Sequence, residues 1–311
     1  MTIPFLRIGT RGSQLALWQA HAVRGALCAA LAVPEEEIEI AVIRTTGDQV
    51  RDRPLADVGG KGLFTKEIEE ALLDGRVDVA VHSAKDVPTF LPEGLVLAAC
   101  LPRADVRDVL IAPKHRTFDA LPQGAVVGTA SARRAALLKH MRPDIETVLL
   151  RGNVETRLRK VEGGEVQATL LALAGLNRLG LSGHATEVFD TDRMLPACGQ
   201  GAVAIECRAD DDRTRSRLAA IDHRTTRLAL EAERAMLAAL DGSCRTPIAG
   251  HAVLDGGRLS LRGLVVAPDG SEVWRAAGAG AAEAAAEIGK EVGADLLARV
   301  PAGIVAVGPK W

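Results

Sequence analysis

The sequence predicts an α/β fold with two lobes of mixed, largely parallel sheet and a small α+β domain at the C-terminal end. Three observations carry this. Over the first two thirds of the chain, a short β-branched run, a loop with Ser, Thr, Asn or Gly, and a helix-period segment recur in that order, the pattern of strands joined by crossover helices. After about residue 222 the pattern changes to a long helical run, three strand-like segments and an Ala-rich helix. Finally, 311 residues are more than one core ordinarily holds.

Taken in order, Leu6 to Thr10 reads as a strand. Ser13 then caps a helix with apolar positions Leu15, Leu17, Trp18, Val23 and Leu27. Ile38 to Arg44 is the next strand, Gly62 to Leu73 a helix, and Val77 to His82 a buried strand. Val126 to Thr129 leads to a helix opened by Ser131 and running through Met141. Thr147 to Leu150 and Asn153 to Val161 repeat the strand and helix, and Ala168 to Ala172 adds another buried strand. The C-terminal part begins with a helix over Arg224 to Leu240. Turns at Asp255-Gly256-Gly257 and Asp269-Gly270 separate its strands, and Gly280 to Leu297 reads as the closing helix. Pro-containing stretches at Leu101-Pro102 and Leu195-Pro196 are candidate crossings between the lobes.

Composition narrows the function. Hydrophobic residues make up 48% and charged residues 25%, close to the globular average. No leader-like segment stands at the N-terminus and no apolar window reaches the roughly 20 residues of a membrane span, so a cytoplasmic location without membrane association is expected. The five cysteines form no C-x-x-C pair and the histidines are scattered, which predicts neither a disulfide framework nor a metal site. Of the 38 cationic residues 30 are Arg and 8 are Lys, which favours forked donors suited to carboxylates and phosphates. A net charge of −2 with 3% aromatic residues argues against a nucleic-acid partner.

The arginines concentrate in loops that follow predicted strands: Thr10-Arg11-Gly12-Ser13, Thr129 to Arg134, and Arg151 to Arg157. In open α/β sheets, ligands bind at that end of the strands. Arg133 and Arg134 fall in the first turn of a helix, where cations oppose the macrodipole by about 0.3 to 1 kcal/mol each. A bound anion would offset them, and the alternatives are an internal Asp or Glu or simple solvation. Asp86, in His82-Ser83-Ala84-Lys85-Asp86, follows a buried strand and is either a proton donor and acceptor beside cations or a turn residue ahead of Pro88. Cys244, between small residues and Arg245-Thr246-Pro247, is either an activated thiol or an inert one. Gly59-Gly60-Lys61-Gly62 lacks the spacing of a phosphate loop and reads instead as a closing loop that brings Lys61 to the cleft. Gly199-Gln200-Gly201-Ala202-Val203-Ala204 fits a dinucleotide pattern but lacks the preceding strand, and that match is set aside.

Taken together, these segments resemble the porphobilinogen deaminases. The carriers are Arg7-Ile8-Gly9-Thr10-Arg11-Gly12-Ser13-Gln14-Leu15-Ala16, Thr45-Thr46-Gly47-Asp48, Gly59 to Phe64, His82 to Thr89 and Leu101-Pro102-Arg103. They continue with Gly128 to Arg134, Arg151-Gly152-Asn153, Ala174 to Leu179, Leu195 to Gly201, and Gly242 to Ile248, all in the family's order. Ala84 and Ala132 stand where bulkier apolar residues are common, and Tyr is absent.

The resemblance implies two lobes like those of periplasmic binding proteins with the active site between them, and a third domain holding a cofactor cysteine. On this chain those domains are 1–101 with 201–219, then 106–195, then 222–311. It implies a dipyrromethane bound through a thioether to Cys244 and retained as primer for the condensation of four porphobilinogen molecules, each losing ammonia, before water releases hydroxymethylbilane. Asp86 is then the catalytic acid and base. Arg11, Ser13, Ser83, Lys85, Arg133, Arg134, Arg151, Arg157 and Arg178 bind the substrate and cofactor carboxylates, with Lys61 as a loop contact. The same resemblance implies a monomer whose product passes to uroporphyrinogen-III synthase. A non-catalytic anion-binding protein with two lobes would account for the arginine loops, though not for the Cys244 loop. A cysteine hydrolase using His251 would lack any Cys/His signature.

Overall fold

The computed structural model describes residues 4–49, 64–242 and 246–305, so Lys61 and Cys244 lie outside the described residues. The chain divides into two compact units: Met1–Ala104 with Ala202–Arg227, and Asp105–Gly201 with Leu228–Trp311.

The first unit contains β1 (Leu6–Thr10), α1 (Gln14–Leu31), β2 (Ile38–Val42), α2 (Thr46–Gln49), α3 (Lys66–Leu73), β3 (Val79–Ser83) and β4 (Leu95–Cys100). In the second, β5 (Asp108–Ile111), β6 (Val126–Gly128), α4 (Ala132–Met141), β7 (Glu146–Val148), α5 (Val154–Glu162), β8 (Ala168–Ala172), α6 (Leu173–Arg178) and β9 (Glu187–Val188) follow. The chain then returns to the first unit with β10 (Val203–Arg208) and α7 (Asp212–Ala219). From there α8 (Arg224–Ala239) carries it back into the second, which ends with β11 (Ile248–Asp255), β12 (Arg258–Val266), β13 (Val273–Ala281) and α9 (Ala285–Arg299).

Each unit holds a five-stranded mixed sheet, and the two share a pattern. In the order β2-β1-β3-β10-β4 the first three strands are parallel, while β10 runs antiparallel to both neighbours. In β7-β6-β8-β5-β9 the first three are again parallel and β5 is antiparallel to both neighbours. The strands β1 to β3 and β6 to β8 are reached by crossover helices, which is what parallel pairing requires. The antiparallel strands are those on which the chain passes between units.

Ser13 caps α1 as expected, accepting from the Ala16 amide at 3.3 Å. The helix buries Ala16, Ala20, Val23 and Leu27 rather than Leu15, Leu17 and Trp18, because the small Ala side chains let it lie close against the sheet. Burying Val23 and Leu27 stabilises the unit by about 1.5 to 3 kcal/mol each. Two other expectations are corrected. The second strand stops at Val42, two residues short of Arg44. Gly280 and Ala281 belong to β13, and the closing helix starts at Ala285.

In the second unit, β11, β12 and β13 form an antiparallel sheet turning at Gly256-Gly257, with α8 and α9 packed on it. The two helices touch through glycines. A Cβ built on Gly289 would stand 2.2 Å from the Ala232 carbonyl oxygen, and one on Gly293 would stand 2.8 Å from that of Met236. We therefore expect Gly289→Ala to lower stability by about 1 to 3 kcal/mol through overpacking. Gly25→Ala, in open space on α1, should raise it by about 1 kcal/mol through helix propensity. Thermal unfolding of both variants checks this, and equal melting temperatures would contradict the close helix contact.

Candidate active site

In the first unit β1 and β3 are parallel neighbours, so their following loops leave the same sheet edge. The loop after β1 carries Arg11 and Ser13. After β3 comes a single 3-10 turn, Ala84–Asp86, bearing Lys85 and Asp86. Arg11, Ser13, Gln19, Thr65, Ser83 and Asp86 line one pocket there. Its walls are fixed by local bonds. The Ala84 amide donates to the Ala202 carbonyl at 3.0 Å and the Val87 amide to the Ala84 carbonyl at 3.3 Å, which holds the turn that presents Asp86. Gln19, buried on α1, donates through Nε2 to Ser83 Oγ at 2.8 Å. The Arg11 guanidinium lies 4.2 Å from the centroid of the Phe64 ring, an arrangement that orients the cation without consuming its in-plane donors. Ser13 Oγ accepts the cap bond of α1, and its own O–H remains available as a donor.

Behind this pocket is a buried ionisable group of three. His82 on β3 places Nε2 at 3.4 Å from Glu206 Oε2 on β10, with side chains 3% and 0% exposed. Glu69 of α3 is also buried. Burial pushes the Glu69 carboxyl above its ordinary range and Glu206 adds to the rise, while the Thr65 hydroxyl and His82 work the other way.

In the second unit the predicted arginines follow three adjacent parallel strands, β7, β6 and β8, and so stand along one sheet edge. Arg133 and Arg134, in the first turn of α4, are buried at 3% and 5% exposure. Their negative partner is internal. Asp108, at the start of β5 and fully buried, accepts from Arg133 Nη2 at 2.7 Å on Oδ2 and from Arg134 Nη2 at 2.7 Å on Oδ1. Arg134 Nε donates to Asp108 Oδ1 as well, at 3.1 Å, and the remaining guanidinium bonds go to the carbonyls of Leu195 and Leu170, at 2.7 and 2.9 Å. Burial alone would raise the Asp108 carboxyl, but the two guanidiniums outweigh it and hold it far below the usual carboxylate range. Two cations share one carboxylate, so one positive charge has no counter-ion among the described residues, and Arg133 Nε is buried without a hydrogen-bond partner. An uncompensated buried charge costs several kcal/mol, which favours a further anion.

Arg178, at the end of α6, donates to the Gly201 carbonyl at 2.7 Å, and burial lowers its guanidinium from the ordinary value. Arg157 Nε donates to the Gly152 carbonyl at 2.9 Å, inside the loop capped by Asn153 that also carries Arg151. Among the described residues no group of three His, Cys, Asp or Glu could hold a metal ion.

Among the residues of these sites not singled out from the sequence are Gln19, Glu69, Asp108, Gln200 and Glu206. Each is a polar residue in an apolar setting. Asp108 opens Val109-Leu110-Ile111 and Glu206 sits in Val203 to Cys207, and a charge inside a buried strand is the available signal, since it requires a partner.

Comparison with known proteins is consistent along the chain. The family model described as porphobilinogen deaminase, dipyromethane cofactor binding domain, matches residues 6–216, and the porphobilinogen deaminase C-terminal domain matches residues 227–298. A Nitrobacter winogradskyi protein named porphobilinogen deaminase is 58% identical over 292 residues, covering 94% of this chain and 92% of its own. One of the same name from Paracoccus denitrificans is 54% identical over 297 residues, covering 96% and 95%. Among solved structures, a TRAP periplasmic solute binding protein from Desulfovibrio salexigens is similar over 71% of this chain and 73% of its own, at 11% identity and a TM-score of 0.43.

The Glu69 carboxyl yields a prediction of definite sign. Its folded value is raised, so the stability it contributes is full below about pH 4.3 and is lost as pH rises through the folded value. The melting temperature of Glu69→Gln, which stays neutral, should therefore gain on that of the wild type as pH rises above about 4.3. Parallel melting curves across pH would contradict a raised Glu69 carboxyl.

Proposed function

The chain belongs to the porphobilinogen deaminase family, and from that premise we propose that it joins four porphobilinogen molecules head to tail on a dipyrromethane held by a thioether to Cys244, releasing hydroxymethylbilane after hydrolysis. The observation that carries this reading is the pocket at the ends of β1 and β3, where Asp86 shares a wall with Arg11, Ser13 and Ser83. Each pyrrole brings an acetate and a propionate. The donor set fits such a polyanion: Arg11 at the pocket, and in the second unit a buried pair of guanidiniums with only one carboxylate between them. When bound, the dipyrromethane supplies a free pyrrole carbon as the nucleophile.

The chain's own part is to bind, orient and move protons. Asp86 gives a proton to the departing amine, which leaves as ammonia, and its carboxylate steadies the cationic substrate carbon while the carbon–carbon bond forms. It then takes the ring proton released by that bond. An amide can do neither. Arg11, Ser13, Ser83, Lys85, Arg133, Arg134, Arg151, Arg157 and Arg178 bind pyrrole carboxylates, and Lys61 is a contact from its loop. The same proposal includes three domains, 1–101 with 201–219, 106–195 and 222–311, and a cytoplasmic monomer that passes its product to uroporphyrinogen-III synthase. Among the described residues no helix is long and apolar enough to cross a membrane.

Asp86→Asn tests the reading directly. We expect turnover of porphobilinogen to fall by about two to four orders of magnitude with an unchanged melting temperature. Near-normal turnover would remove Asp86 from the chemistry. Arg151→Ala should raise the porphobilinogen concentration needed for half-maximal rate by about tenfold, and an unchanged requirement would remove Arg151 from carboxylate binding.

A further inference from the structure

The segment Leu195 to Gly201, whose end overlaps the dinucleotide-like run Gly199 to Ala204, ties the arginine cluster together. Its Leu195 carbonyl takes a bond from Arg133 at 2.7 Å, and its Gly201 carbonyl takes one from Arg178 at 2.7 Å. Between them the fully buried Gln200 uses Nε2 twice, donating to Asp108 Oδ1 at 3.0 Å and to the Val106 carbonyl at 2.7 Å. Gly199 and Gly201 have φ of 74° and 85°, the left-handed region that glycine adopts without strain, and this tight path turns Gln200 inward. The segment is itself pinned to α8. Glu233, buried there, accepts from the Gly199 amide at 2.6 Å and from the Ala252 amide of β11 at 2.8 Å.

Asp108 is therefore held from two sides. Its Oδ1 accepts from Arg134 Nε at 3.1 Å, Arg134 Nη2 at 2.7 Å and Gln200 Nε2 at 3.0 Å, and its Oδ2 accepts from Arg133. Because a single carboxylate meets both guanidinium forks, its position fixes the plane of each. Gln200 contributes a neutral donor, and so fixes Asp108 without adding charge.

We propose that Asp108 and Gln200 are positioning residues for substrate binding: together they orient Arg133 and Arg134 and leave the pair one surplus positive charge for a pyrrole carboxylate. This rests on the reading of those arginines as carboxylate binders. Gln200 acts on the arginines through Asp108, and Asp108 acts on the ligand through the arginines. Loss of either should therefore weaken substrate binding more than it slows chemistry at Asp86.

Steady-state kinetics with porphobilinogen on the full-length enzyme tests this in three variants, each with its melting temperature measured. Asp108→Glu keeps the charge but displaces the carboxylate, and Gln200→Leu removes the neutral donor while leaving every charge in place, so one informative variant remains if the other fails to fold. Arg133→Lys keeps the charge and loses the fork. We expect KM to rise about tenfold in all three, with kcat within about threefold of wild type. If Arg133→Lys raises KM while Asp108→Glu and Gln200→Leu only lower the melting temperature, the positioning role is overturned and the carboxylate reading stands. If Arg133→Lys leaves KM unchanged, the carboxylate reading of this pair fails and the proposal falls with it.

Discussion

One buried carboxylate, Asp108, makes the arginine cluster of the second unit possible. Two guanidiniums in the first turn of a helix are set against the macrodipole and against burial at once, and neither cost is recovered from solvent at 3% and 5% exposure. Asp108 offsets one charge and gives both forks a geometric target. It does so from β5, antiparallel to β8, so the strand that breaks the parallel pattern of the second sheet delivers the anion that its arginine edge needs. Removing such a partner leaves an uncompensated buried charge, at a cost of about 3 to 5 kcal/mol. On the proposed reading, the surplus charge that remains is what a carboxylated ligand answers.

The first unit solves a different problem with the same topology. Three parallel strands again present their ends along one edge, but the group to be held there is a carboxylate, Asp86, on a single turn after β3. No Arg or Lys among the described residues of this unit is buried beneath it. The turn is held instead by a backbone bond to Ala202, just ahead of β10, and by Gln19 acting on Ser83, while the buried Glu69, His82 and Glu206 lie behind. Repetition of the sheet thus places a half-buried carboxylate turn in one unit and a buried charge cluster in the other. On the proposed reading the two require opposite environments, since a proton carrier must remain accessible and a charge pair gains strength from exclusion of water.

What the sequence made legible is what is decided locally. Ser13, Ser131 and Asn153 cap their helices because a short oxygen side chain meets the free amides of the first turn, whatever the surroundings. The Asp255-Gly256-Gly257 turn likewise joins two strands as expected. Elements decided by tertiary packing were not legible. β4 and β5 are short apolar runs with no alternation, readable as helix or strand alike. In β13, Ala and Gly alternate, and helix propensity suggests the wrong answer for Gly280-Ala281. The glycines are there because a Cβ on Gly278 would stand 2.8 Å from Val292, and one on Gly280 3.2 Å from Ile288, on α9. Arg133 and Arg134 show the same division within the site. Their need for a negative partner could be read from the first turn of a helix, but its identity, 25 and 26 residues earlier in the chain, could not.

The proposed pyrrole primer on Cys244 is tested most directly by intact mass under denaturing conditions, before and after incubation with porphobilinogen. The wild type should carry the mass of two deaminated porphobilinogen units, or acquire it on incubation, and then gain further single units as substrate is added. Cys244→Ser should keep the mass of its sequence throughout. A wild-type chain that stays at its sequence mass after incubation with porphobilinogen would contradict the account.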